Sequence, residues 1–150
     1  MNLLVFRLQE AQACIELRHV EQVLALMALH PLPGAGPDVV GLLDLHGRSL
    51  VVVDLGMRLG LPRPEPYHAD TPVVICNAGE GRAGLVVNEI LGVMTAEASA
   101  VQPTGALAGK ILGVEGILRT EQGLALLLDP HQLLAVHSEL IAPTDSPADA

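Results

Sequence analysis

Asp44, His46 and Ser49 bring an acid, an imidazole and a hydroxyl within six consecutive positions, the residue types of a hydrolase triad. Their spacing argues against that chemistry. Triad members converge from distant segments, and a nucleophile elbow needs G-x-S-x-G, which is absent here. Gly79-Glu80-Gly81-Arg82-Ala83-Gly84 fits G-x-G-x-x-G after an apolar run, the pattern that lets a backbone approach a pyrophosphate. A helix would have to open at the third glycine. The residues that follow, "LVVNEILGV", are β-branched and apolar on too many sides for that. Glu97 stands at a ribose-partner distance, but the preceding sequence is β-like throughout. A β-hairpin with a Gly-rich turn explains the motif better. The six histidines (19, 30, 46, 68, 131 and 137) show no i, i+4 pair with an intervening Glu, so no metal site is expected. Asp54 and Asp129 each close an apolar run and read as caps of the segments that follow, with Pro130 at a first helical position.

The elements that would position these residues are short and apolar. Half of the 150 residues are hydrophobic, with one Phe, one Tyr and no Trp, so the core must be Leu, Val, Ile and Ala. A formal charge of −9 repels phosphate backbones, and without aromatics there is nothing to stack on bases. Nucleic acid is not expected as a partner. Cys14 and Cys76 each sit alone in an apolar run and read as buried, reduced thiols of a cytoplasmic protein. No apolar run reaches the roughly 20 residues that cross a bilayer, so direct membrane insertion is not expected.

Strand-like runs cover 2–8, 13–17, 71–77, 83–93, 109–120 and 123–129, with turn residues between them. Residues 19–29 fit either a strand or a helix. Residues 30–38 carry three prolines and two glycines and hold no regular element. In "LLDLHGRSLVVVDLGMRLGL", 42–61, two apolar runs flank His46-Gly47-Arg48-Ser49 as a hairpin, and a helical turn follows. The second half repeats the scheme of the first. Residues 129–140 look helical, and 141–150 form an acidic, disordered tail. Several short strands and no strand–long helix alternation predict an all-β sandwich or barrel.

The ordered run from Leu3 to Leu134 resembles the CheW family of chemotaxis coupling proteins. The stretch from Gly41 to Leu55 is similar to the family's G-x-x-N-L-R-G-x-x-x-P-x-x-D-L, matching at Gly41, Leu45, Gly47, Asp54 and Leu55. "GLVVNEILGV" is similar to G-x-x-V-D-x-V-x-x-V, and "LLLDPHQLL" to L-L-D-x-x-x-L-L. The resemblance implies two small five-stranded, SH3-like β-barrel lobes sharing an apolar seam, within one domain over 1–140. It implies no enzyme activity and no cofactor. The implied partners are the regulatory domain of a CheA-type histidine kinase and the helical tip of a chemoreceptor, with recruitment to membrane-associated arrays.

The partner-binding residues implied are Val20, Gln22, Val23, His46, Gly47, Arg48 and Asn88, with Gly41, Asp54 and Asp129 as turn or cap positions. The chain departs from the pattern where His46 replaces Arg, Asp44 replaces Asn, Val51 replaces Pro, Gln22 replaces Glu and Asn88 replaces Asp. An imidazole does not replace a five-donor guanidinium. Were Gln22 and His46 neighbours, an ion pair would have become a neutral contact. That difference leaves open an accessory protein that binds a kinase regulatory domain without coupling a receptor.

Overall fold

In a computed structural model the described residues are 1–61, 66–79, 81–103 and 113–134. The acidic tail, the 1–140 boundary and the helix beyond 134 fall outside them. Ten strands form two five-stranded sheets: β1 (Asn2–Leu8), β2 (Ala11–Glu16), β3 (Val20–Ala25), β4 (Val39–Leu45), β5 (Arg48–Asp54), β6 (Pro72–Ala78), β7 (Gly81–Val86), β8 (Glu89–Thr95), β9 (Val114–Thr120) and β10 (Gly123–Leu128). Lobe 1 has the order β8-β1-β2-β10-β9 and lobe 2 the order β3-β6-β7-β5-β4. One helical turn, α1 (Leu55–Arg58), follows β5. A second, α2 (130–134), follows β10.

The expected two-lobed, all-β architecture is what the chain adopts. The ambiguous segment 19–29 resolves into β3, because its residues complete the edge of lobe 2 against β6. One expectation needs correction. The run 83–93, read as a single strand, is two strands in different sheets. At Val87 and Asn88 the backbone leaves lobe 2, and Val87 N donates to Pro72 O while Asn88 N donates to Arg7 O. The break separates two strands that share one hydrophobic pattern, so the pattern alone does not mark it.

Leu50 and Val52 of β5 point into lobe 2, with Leu43, Val73 and Ile75. Val51 and Val53 point the other way, into a cluster shared with Leu4, Phe6 and Ile15 of lobe 1. Likewise Leu3 and Val5 fill lobe 1 while Leu4, Phe6 and Leu8 face the seam. Strands buried on both faces read as continuous apolar runs instead of alternating ones. Cys14 lies inside lobe 1 and Cys76 in the seam, both free. Burial pushes both thiols up to about 12, which leaves them unreactive at neutral pH.

The chain is an internal repeat of hairpin, edge strand, hairpin and helical turn. Gly41 and Gly116, Leu42 and Ile117, and Asp54 and Asp129 stand 75 positions apart. The equivalence extends to contacts. Asp54 N donates to Asp38 O and Asp129 N to Gly113 O, each at 2.7 Å. Among the described residues one isolated bridge closes each sheet into a barrel, His30–Leu42 in lobe 2 and Gln102–Ile117 in lobe 1.

Gly41 therefore does not make a turn, as its motif position suggested. It lies inside β4 at a register shift. A Cβ there would stand 2.7 Å from His30 O, and one at Gly116 2.5 Å from Val101 Cγ1 and 2.9 Å from Gln102 O. Both glycines let the closing segment approach its strand. Gly41→Ala and Gly116→Ala should each lower stability by about 1–3 kcal/mol through overpacking. Urea unfolding checks this as a lower midpoint at unchanged slope.

Candidate partner-binding surface

β4 and β5 are joined by His46 and Gly47, with φ of 54° and 80°. Two positive φ values in a two-residue loop make a turn whose twist matches its strands. His is among the few non-glycine residues that tolerate this conformation. Arg48 is already in β5, paired with Leu45, and Ser49 pairs with Asp44. The tip of the hairpin is exposed from His46 to Ser49.

The edge strand β3 carries Val20, Gln22 and Val23. Val20 packs on the seam cluster, Gln22 is half-buried, and Val23 is 41 % exposed. The pairing of β3 with β6 shifts register between Val20 and Gln22, and the residue this bulge releases is Glu21. Its two carboxylate oxygens accept from Arg82 Nη2 at 2.8 Å and Nε at 2.9 Å, and Asn77 Nδ2 donates to one of them at 3.0 Å. These hydrogen bonds from Arg82, then Asn77, with the nearby charge of Arg48, hold the Glu21 carboxyl below its ordinary range. A polar row thus crosses lobe 2 from the β3 edge to the β5 end of the hairpin tip.

Among the described residues no hydrogen bond or ion pair joins Gln22 to His46. The carboxylate of this strand is kept one position earlier, and its cation comes from β7. The sequence reading missed Glu21, Asn77 and Arg82, because a β-bulge changes which residue faces its neighbour and leaves no mark in composition. Asn88 does not join the group. Its Oδ1 accepts from Gln9 N at 2.7 Å, which holds the β1–β2 turn. It lines a small cavity with Asp54, at the far end of β5 from His46, about 20 Å away at roughly 3.3 Å per residue.

Asp54 caps α1 as expected, accepting from Met57 N at 3.0 Å. It also accepts from the Tyr67 hydroxyl at 2.5 Å, which straps the segment before β6 onto lobe 2. The cavity beside it holds about 20 Å³, room for one water and no metabolite. Asp129 caps α2 by accepting from His131 N at 2.9 Å. The His131 ring meets His19 edge-on at 5.4 Å. Gly79 follows β6, and Gly81 to Gly84 lie in β7, its antiparallel neighbour. β7 runs from Gly81 to Val86 where a dinucleotide fingerprint needs a helix, and a Cβ at Gly84 would meet Val73, Val52 and Ile75 side chains at 3.0–3.3 Å. Among the described residues no three His, Cys, Asp or Glu converge as a metal site, and no helix is long and apolar enough to cross a membrane.

A strand edge at β3, the exposed His46–Ser49 tip and the polar row from Glu21 to Arg82 are the exposed features of lobe 2. The CheW-like domain pattern matches residues 2–137, and the chain belongs to that family. It is 26 % identical over 146 residues to the chemotaxis protein CheW of Bacillus subtilis, covering 96 % of this chain and 93 % of that one. It is 25 % identical over 123 residues to the CheW of Rhizobium meliloti, covering 77 % and 79 %. The crystal structure of the scaffolding protein TtCheW from Thermoanaerobacter tengcongensis shares the fold. Its TM-score is 0.77 at 22 % identity, over 85 % of this chain and 88 % of that one.

A group whose pKa is depressed by folding stabilises above its ordinary value, and the contribution is lost as pH falls through the folded value. Glu21→Gln should therefore destabilise at neutral pH by less than about 1 kcal/mol, as befits a half-exposed pair. The deficit should shrink below about pH 4. Unfolding midpoints of both proteins from pH 7 to pH 3 check it.

Proposed function

We propose that this protein is a non-catalytic adaptor of bacterial chemotaxis-type signalling, working in the cytoplasm. It couples the helical tip of a chemoreceptor to the regulatory domain of a histidine kinase. The observation that carries this reading is the lobe 2 surface, where Val23 on the β3 edge and the His46-Gly47-Arg48 tip are held in one frame by the Glu21–Arg82 pair. An exposed apolar side chain beside an unpaired strand edge favours a β-rich partner such as a kinase regulatory domain.

A second concavity of about 450 Å³ lies where the chain crosses between lobes, lined by Met1, Asn2, Glu16, Leu17 and Arg18. Met1 and Leu17 offer apolar contacts to a helix laid in the groove. Glu16 and Arg18, paired at 3.1 Å, flank them with charge. Binding alone accounts for the residues present, and no catalytic group is needed.

The exchanges at Gln22 and His46 favour a second reading, an accessory protein that engages the kinase domain without coupling a receptor. Co-sedimentation with receptor signalling-domain helices and the cognate kinase separates the two. Coupling predicts binding to both, weakened about tenfold or more toward the kinase by Val23→Asp. Folded protein that binds neither would refute both readings. If Gln22→Glu with His46→Arg creates receptor binding where there was none, the accessory reading is right for the natural chain.

A further inference from the structure

His19 and His131 form a pair of side chains that the lobe 2 surface does not use. His19 ends the turn Leu17–His19, where the chain crosses from lobe 1 to lobe 2. It is only 9 % exposed, yet among the described residues its ring takes part in no hydrogen bond or ion pair. What it meets is the edge of the His131 ring, with 5.4 Å between ring centres and 83° between planes. His131 stands on α2 and is exposed, so its ring can turn a nitrogen toward that of His19.

Carboxylates crowd the same place. Glu115 on β9 has its carboxyl pushed up, first by burial and then by the charges of Asp129 and Glu16, against the lowering effect of Arg18. Arg18 pairs with Glu16 at 3.1 Å, so three carboxylates share one cation. Asp129 adjoins the pair directly, since one of its oxygens accepts from His131 N at 2.9 Å. The fold does not require these side chains. By the 75-residue repeat His131 corresponds to Gly56 and Glu115 to Val40, and the other end of the molecule folds without an imidazole or a carboxylate at those two positions.

The geometry points to a divalent transition-metal site, in which His19 and His131 each bind one zinc ion through a ring nitrogen and water fills its other positions. Two imidazoles on one tetrahedral ion, each nitrogen about 2 Å from it, hold their ring centres about 5 Å apart. The chain supplies two ligands and no third converges on them, so the site is open and of modest affinity. Imidazole donors suit zinc, nickel and copper, whereas calcium and magnesium take oxygen ligands. The surrounding carboxylates attract the cation and accept hydrogen bonds from its waters. The spacing of the histidines along the chain hid this pair, because the two rings come from different elements. A bound ion ties α2, whose Leu133 and Leu134 lie in the seam, to the crossover that lines the groove with Glu16, Leu17 and Arg18. The site needs neither receptor nor kinase, so its failure is distinct from failure of the coupling reading.

Calorimetric titration of the untagged, chelator-stripped full chain with zinc or nickel ions should show one ion bound per chain. Magnesium and calcium should show none. Saturating zinc should raise the thermal unfolding midpoint, because the ion binds the folded chain. His131→Ala should weaken binding about tenfold or more and remove the thermal shift, while His68→Ala should leave both unchanged. His19→Gln should act as His131→Ala does, with circular dichroism confirming that each variant is folded. In the natural chain, nickel below one equivalent should broaden the imidazole NMR resonances of His19 and His131 ahead of those of the other histidines, a readout that needs no variant. A chain that binds neither zinc nor nickel overturns the inference. So does binding that His131→Ala leaves intact, or broadening centred on another histidine.

Discussion

Everything in this molecule depends on the seam, where each sheet turns its outer face against the other. Val51 and Val53 of β5, Val74 and Cys76 of β6, and Leu4 and Phe6 of β1 meet there with almost no exposure. A five-stranded barrel of this size has too little interior to offset the entropy of ordering its chain. Burying a second face of the same strands supplies the missing apolar area. The cost is that the middle of these strands has no solvent face, and polar side chains such as Arg48 and Asn77 stand only at their ends.

That constraint decides where function can reside. With the central strands occupied on both sides, the exposed chemistry is pushed to the edge strands, the hairpin tips and the crossovers between lobes. Edges carry unpaired backbone groups and are open to a partner strand or loop. Among the described residues a single bridge closes each barrel, at His30 and at Gln102, and the rest of β3 and β8 pairs along one side only. Gly41 and Gly116 permit that closure by lacking a side chain. The same local device, used twice, creates two open edges related by the repeat. The side chains on them then differ: an ion pair at Glu21 and Arg82 in lobe 2, and an apolar floor at Leu91 in lobe 1.

Much of this was legible in the chain before folding. The short Val- and Leu-rich runs broken by turn residues identified strands. The absence of long amphipathic helices pointed to an all-β fold, and the positions of Asp54 and Asp129 marked the starts of the two helical turns. The tip at His46-Gly47 was legible too, since few residue pairs suit two positive φ values. The course of residues 83–93 was not legible. Apolar residues resume directly after Asn88 and Glu89, so the pattern shows no break where the chain passes from buried β7 to half-buried β8 and changes lobes. Asn88, matched through its motif to a binding role, accepts from Gln9 N through its side chain.

Composition and periodicity by themselves determined the kind of element at nearly every point, because strand periodicity and turn chemistry are local properties. They also determined the repeat of the scheme. Only the tertiary structure decided which residues meet. Register is the reason: one extra residue in a strand exchanges the side chain that faces inward for the one that faces a neighbour. The bulge in β3 made Glu21, and not Gln22, the partner of Arg82. The bulge in β8 placed Leu91 in the matching position. No property of those residues taken in order along the chain distinguishes the two outcomes.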